Sequence, residues 1–249
     1  MQEFIAKSNI MKEIKNSADL LKHLDVNVLI KGSSGVGKKS LARYIKEAAN
    51  LYPAKILQKD IQDKVLGLTN TSIIIENIED ISNIDLFLSW IEENNIRIIA
   101  TTTKEHLSQK MADIFSLTLE IPNLEKRKED IKPLATVFSK EASNILGEES
   151  KPNKLIINTS DNAHSLRKSI FLSHLFESIG ENEIMMLIEK YVLDNMQGEN
   201  AYKDFLYLFE APLLKAAQKK HKSQVQMAKH LGLNRITLRK KLEIHKDLL

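Results

Sequence analysis

The 249-residue chain has no cysteine, which excludes disulfides, thiolate metal sites and cysteine nucleophiles. No apolar run approaches the roughly 18 residues that suggest a membrane span. The opening MQEFIAKSNIMKE mixes charges into its apolar positions as no signal peptide does. A cytoplasmic protein that does not contact membrane is therefore expected. Histidines are scattered at His23, His106, His164, His174, His221, His230 and His245. Even the nearest two, His221 and His230, lack metal-ligand spacing and a carboxylate pattern, so no structural metal is expected. An apolar fraction of 43% is enough for ordinary cores in one large domain or two to three small ones.

Net charge is also small, +3, but it is unevenly placed. Residues 201 to 249 hold 11 Lys and Arg against 4 Asp and Glu, a net of +7, so the preceding 200 residues net −4. A segregated basic end is the electrostatic footprint expected of nucleic-acid binding, although a lysine-rich solvated surface has the same composition.

Residues 1 to 24 carry apolar positions at helical spacing, with Ser17 as a break or cap. A buried strand is expected from Val26 to Ile30, followed by GSSGVGKKS and a helical LARYIKEAAN. SIIIE from Ser72 and IRIIATTT from Ile96 are short β-branched runs of the kind buried in parallel sheets, and the amphipathic IDLFLSWIEEN lies between them. This alternation predicts a parallel α/β sheet with helices on both faces. After Pro122 three helical stretches follow one another, and the polar MQGEN at 196–200 reads as a linker. The expected divisions are 1–122, an α/β part; 123–195, a helical lid; and 200–249, an all-α end.

Gly32, Gly35, Gly37 and Lys38 form G-x-x-x-x-G-K between a strand and a helix, the context a phosphate-binding loop requires. Glycines let successive backbone N–H groups turn toward one centre, and Lys38 can reach β- and γ-phosphates. The candidate nucleotide-binding set is Gly32, Gly35, Val36, Gly37, Lys38, Lys39 and Ser40. The ligand expected is ATP or ADP, with Mg2+ only alongside the nucleotide. Lys39 stands where Ser or Thr usually holds magnesium, with Ser40 displaced by one. Hydrolysis also needs a carboxylate at a neighbouring strand end, a group to polarise water and a cation for the transition state. The second strand ends Glu76-Asn77, and an amide at Asn77 cannot act as a general base at neutral pH.

At the basic end, QVQMAKHLGLNRITLRKKLEIH reads as two short helices joined at Gly232, with Asn234 capping the second. Val225, Ala228, Leu231, Leu233, Leu238 and Leu242 are expected to face inward. Arg235, Thr237, Arg239, Lys240 and Lys241 are left outside, and with Asn234 they make the candidate contact set for double-stranded DNA. Arg235 and Arg239, four apart, share one face at the end of a helix that enters the major groove. Arginine to guanine, with lysine and threonine to phosphate, is the expected division. Upstream, Phe205, Leu206, Leu208, Phe209, Leu213, Leu214 and Ala217 are too apolar for a lone solvated helix. Pro212 should kink it. Two alternatives stand for this stretch: a homodimer interface through 200–220, or packing onto the body of the same chain.

With these residues in view, residues 5 to 249 resemble the NtrC-like transcription regulators, in which an AAA+ ATPase domain precedes a Fis-type helix-turn-helix. The resemblance implies an AAA+ P-loop sheet with a helical lid, followed by that helix-turn-helix. GSSGVGKKS is similar to the family's GESGTGKE, which also lacks Ser or Thr after the lysine. SIIIENIEDI resembles the Walker B strand, here Glu76-Asn77 where Asp-Glu is usual. RIIATTT from Arg97 resembles sensor I, LEKRKEDIKPLA the start of the lid, and Asn-Arg-x-Thr-Leu-Arg-Lys-Lys-Leu the Fis C-terminus. Departures from the family shape the expectation. About thirty residues separate Ser40 from Ile73, and none reads as the GAFTGA loop that contacts the alternative sigma factor. KMADIFSLTLEIPNL holds no arginine where fingers are expected, and DNAHSLRKS places His164 where the lid's sensor II arginine would stand. No receiver domain is expected before the first strand. The resemblance thus implies a DNA-binding regulator whose AAA+ part binds nucleotide with weak or no turnover. The rivals are an ATP-driven sigma-factor activator and an accessory subunit of another AAA+ regulator that borrows its arginines.

Overall fold

A computed structural model describes residues 4–147, 152 and 154–249, and these divide into two compact units, Met1–Ser178 and Ile179–Leu249. The first opens with helix α1 (Asn9–Leu21), which Ser8 caps by accepting the Met11 N–H at 3.3 Å. The helix runs through Ser17 without a break, because that hydroxyl bonds back to the Glu13 carbonyl at 3.1 Å and leaves the ladder intact.

Five parallel strands follow: β1 (Val28–Lys31), β2 (Asn50–Pro53), β3 (Thr71–Glu76), β4 (Ile96–Thr102) and β5 (Leu117–Glu120), in spatial order β2-β3-β4-β1-β5. β4 is buried along its whole length, as a central parallel strand covered on both faces must be. Alternate residues enter two cores. Leu29, Ile73, Ile75 and Ile98 pack with α3 (Ala54–Gln62) and α4 (Ile84–Asn94), which contribute Leu57, Phe87 and Trp90. Val28, Ile30, Ile74 and Ile99 pack with α1 and with α2 (Lys38–Ile45), which contribute Met11, Leu41 and Ile45. The sheet is thus a doubly covered α/β layer, and its first strand begins two residues later than the sequence suggests, at Val28. β2 and β5 are edge strands that the sequence reading lacks.

A short helix α5 (Gln109–Ala112) precedes β5. Beyond the sheet, α6 (Ile131–Leu146) and α7 (Asn162–Ser178) close a small core of Leu124, Ala135, Leu166 and Ile170. Lys7 N–H, Ser8 N–H and the Ser8 hydroxyl all donate to Asp130, which is fully buried just before α6.

The second unit is all-helical: α8 (Glu181–Asn195), α9 (Ala201–Phe205), α10 (Tyr207–Lys220), α11 (Gln224–His230) and α12 (Arg235–Ile244). The helix expected to complete the lid, α8, falls in this second unit. α10 runs on through Pro212, and the break in this stretch falls earlier, at Leu206 between α9 and α10. The core here consists of Leu214, Ala217, Met227, Ala228 and Leu238, with Leu231, Leu233 and Leu242 against it. Val225 is 50% exposed, contrary to expectation, and Met227 takes the inward position. The capping at Ser223, whose hydroxyl accepts the Gln226 N–H, starts the helix so that 227 and 228 face α12.

Candidate functional site

The phosphate-loop candidate lies at the carboxyl ends of the parallel strands, where ligands of such sheets bind. β1 ends at Lys31, the loop spans 32–37, and α2 begins at Lys38 with Gly37 at its N-cap. Three successive loop carbonyls are tied down from outside. Ser34 O accepts from Asn162 Nδ2 at 2.9 Å, Gly35 O from the Ala163 N–H at 3.1 Å, and Val36 O from Arg127 Nη2. In a trans peptide the N–H points opposite to the carbonyl. Holding these carbonyls outward therefore turns the amides of Gly35, Val36 and Gly37 to the other side, as an anion cradle requires. Gly35 has φ +71°, and a Cβ there would come within 2.8 Å of His164 Cδ2 and 2.9 Å of Asp161 O, so only glycine lets the lid approach this closely.

Lys38 is 9% exposed and donates to Gly32 O at 2.7 Å and Ser33 O at 2.8 Å. Desolvation pushes its pKa below that of an ordinary lysine, while the charge of Glu79 opposes the shift. Lys39, on the first turn of α2, forms an ion pair with Glu76 at the end of β3. Asn77 turns the chain through a left-handed conformation, φ 54°, and its N–H donates to Thr101 Oγ1 at 3.3 Å. One 3-10 turn later, Glu79 Oε1 accepts from the Thr103 N–H at 3.0 Å and the Thr103 hydroxyl at 2.8 Å. Burial would raise the Glu79 pKa, but these bonds outweigh it and hold the carboxyl below its ordinary range. Its other oxygen, Oε2, is buried with no hydrogen-bond partner among the described residues.

Three residues of this site escaped the sequence reading. Arg127 is 4% exposed, donates to Val36 O and to Pro122 O, and lies 3.9 Å from Asp130. Its pKa is lowered by desolvation, with Asp130 opposing. Asn162, 5% exposed, accepts the Leu124 N–H at 2.7 Å through Oδ1 while its amide donates to the loop. Glu79 is the third. Its only signal was an acidic residue one turn past a strand end; the other two act through contacts distant in sequence. His164 is exposed at the start of α7 and touches the loop's Gly35 side. Ser40 lies on the exposed face of α2.

The second candidate, a nucleic-acid interface, lies on α12. Asn234 caps it, its Oδ1 accepting the Thr237 N–H at 2.7 Å. The turn before it carries Gly232 at φ +64°, and the Leu233 N–H reaches Ala228 O at 2.9 Å, the closing bond of a helix C-terminus that needs glycine in that position. Arg235, Arg239 and Lys240 are exposed, Thr237 half-buried. Lys241 differs: it is ion-paired with Glu210 of α10, which also meets His245 Nε2 at 2.9 Å. These two bonds, that of Lys241 foremost, lower the Glu210 pKa. Lys241 is thus held by its own unit, whereas its neighbours on the helix are not.

A phosphate loop on a doubly covered parallel sheet, with a capped basic helix-turn-helix in the same chain, defines an AAA+-type nucleotide-loop protein with a DNA-binding domain. The Sigma-54 interaction domain matches residues 5–124, and the family "Bacterial regulatory protein, Fis family" matches residues 205–243. Crystal structures of NtrX from Brucella abortus are similar in fold. The ATP complex aligns at TM-score 0.59 and 16% identity over 100% of this chain and 69% of that one. The ADP complex aligns at 0.57 and 15%, over 99% and 70%. No curated protein matches. The chain is an NtrC-like AAA+ regulator with a C-terminal Fis-type helix-turn-helix, and so a DNA-binding regulator.

Proposed function

We propose that this protein is a sequence-specific DNA-binding transcriptional regulator whose AAA+ domain binds ATP or ADP as a ligand and hydrolyses it weakly or not at all. The observation that carries the reading is the end of β3, where Asn77 offers no base and the Glu76 carboxylate is already engaged by Lys39. Arginine supply points the same way. The chain has four arginines before residue 200. Arg97 and Arg127 are buried, Arg97 on the carbonyls of Leu21 and Val26; Arg167 is bonded to Glu141; Arg43 sits on α2, directly behind the loop. A missing arginine finger costs phosphoryl transfer some three to five decades of rate.

Nucleotide binding is supported by the outward-held carbonyls of the loop and by the fold likeness to NtrX, whose structures contain ATP and ADP. Mg2+ would enter only with nucleotide. On DNA, Arg235 and Arg239 read base edges, Thr237 and Lys240 contact phosphate, and a homodimer through 200–220 sets two recognition helices on half-sites. Within 200–220, Tyr202 at 81% and Phe209 at 66% exposure leave apolar surface for such a partner. No helix among the described residues is long and apolar enough to cross a membrane, and a cytoplasmic site of action follows from the DNA ligand. The divisions 1–122, 123–195 and 200–249 stand as functional segments within this proposal.

A second reading, ATP-driven activation of the sigma factor, is favoured by the match of residues 5–124 to the Sigma-54 interaction domain. Pairing with another AAA+ regulator that supplies arginines would serve either reading. DNA binding by the full chain, with and without ATP, tests the first: sequence-selective binding that survives Lys38→Ala supports it, and binding that requires ATP turnover favours the second.

A further inference from the structure

We propose that the metal-organising carboxylate of this nucleotide site is Glu79, one turn beyond the end of β3, and that Glu76 at the strand end serves instead as the anchor for Lys39. The inference rests on the reading of the loop as a nucleotide site. A divalent cation bound with nucleotide needs a carboxylate oxygen that is oriented and not already spent on another cation. Glu76 fails the last condition: its Oε1, like Glu79 Oε2, has no hydrogen-bond partner among the described residues, but it is already ion-paired with the Lys39 ammonium from α2. Glu79 meets both. Two bonds from Thr103 fix Oε1, and Oε2 is buried with no hydrogen-bond partner among the described residues. A buried carboxylate oxygen without a donor costs free energy unless something else completes it. Thr103, which holds Glu79, follows Thr102, the register partner of Lys31 on β1, so this carboxylate lies at the strand end from which the phosphate loop departs.

The local backbone supplies the reason for the shift. Asn77 in the left-handed region, pinned through its N–H to Thr101, wraps Ile78–Asp80 into a single 3-10 turn. That turn carries Glu79 to the end of β4, where Thr103 follows the strand. The two glutamates thus have separate tasks: Glu76 orients the first turn of α2, and Glu79 offers the free oxygen.

Binding of a fluorescent ADP analogue to the full-length protein, in EDTA and over a Mg2+ titration, tests this without reference to turnover. Wild type should bind the analogue in EDTA and more tightly with Mg2+. Glu79→Gln should weaken the Mg2+-dependent step about 10–100-fold, while Glu76→Gln leaves it intact. Should Glu79→Gln melt too low to assay, Thr103→Val, which frees the carboxylate from its orienting hydroxyl, should reduce the same Mg2+ step. Retention of the Mg2+ step in Glu79→Gln, or its loss in Glu76→Gln, overturns the assignment. Analogue binding by wild type that is indifferent to Mg2+ overturns it too but leaves nucleotide binding standing. No analogue binding under any condition overturns both.

Discussion

Two arginines of the first unit and two of the second meet opposite fates. In the first, Arg97 and Arg127 are buried and bonded to main-chain carbonyls, where their charge is spent on positioning α1 and the phosphate loop. In the second, Arg235 and Arg239 project from a capped helix into solvent. The first pair is architectural and the second is available for recognition, although nothing in the residue type distinguishes them. What separates them is the secondary structure next door: a strand interior and a loop with orphan carbonyls for one, the outer face of the ten-residue helix α12 for the other.

The largest expected effect breaks this contrast at Arg127. Arg127→Ala leaves Asp130 buried without its nearby cation and frees the Val36 carbonyl, and should destabilise the first unit by about 3–5 kcal/mol, read as a lower melting temperature with little change in that of the second unit. Arg235→Ala and Arg239→Ala should each cost about 1–3 kcal/mol of specific DNA binding while leaving melting unchanged. Lys240→Ala should weaken binding to all sequences alike and flatten its salt dependence. Unchanged binding in all three would remove α12 as the recognition helix.

A smaller effect sharpens the comparison inside the second unit. Because bonds from Lys241 and His245 lower the Glu210 pKa, the pairing contributes stability above the unfolded-state carboxylate pKa and loses it as pH falls through the lower folded value. Acid unfolding of this unit should therefore start at a higher pH without the pairing, and Glu210→Gln should remove about 1 kcal/mol at neutral pH. Equal pH profiles for wild type and Glu210→Gln would contradict the pairing. Lys241→Ala should lower stability by a similar amount and alter DNA binding less than Lys240→Ala. The smallest effect belongs to Lys38→Ala, which should abolish nucleotide binding and leave DNA affinity of the full chain unchanged.

Much of this architecture was legible in the sequence, wherever periodicity or glycine spacing carried it. α4 spans the predicted amphipathic stretch, the buried strands β3 and β4 follow their β-branched runs, and the capped turn at Gly232–Asn234 forms as its residues require. The edge strands β2 and β5 were not legible, since β2 is at best half-buried and β5 buries a single residue, so neither carries a continuous apolar run. Val225 misled because a seven-residue helix has too few turns to fix a face by counting. At the nucleotide loop the glycines and Lys38 announced themselves. Arg127, Asn162 and Glu79 did not, because each acts through groups on other elements: a loop carbonyl, a lid junction, the end of β4. Lys241 looked like its neighbours until the Glu210 carboxylate was placed beside it.

The central claim is that nucleotide is a ligand here rather than a fuel. Steady-state ATP hydrolysis by the full-length protein, over a range of protein concentrations with and without DNA and with Lys38→Ala as background, tests it most directly. Turnover no greater than that of Lys38→Ala is the predicted result. Turnover that rises with protein concentration and vanishes in Lys38→Ala would contradict it, because subunits would then be completing one another's sites and driving the chemistry.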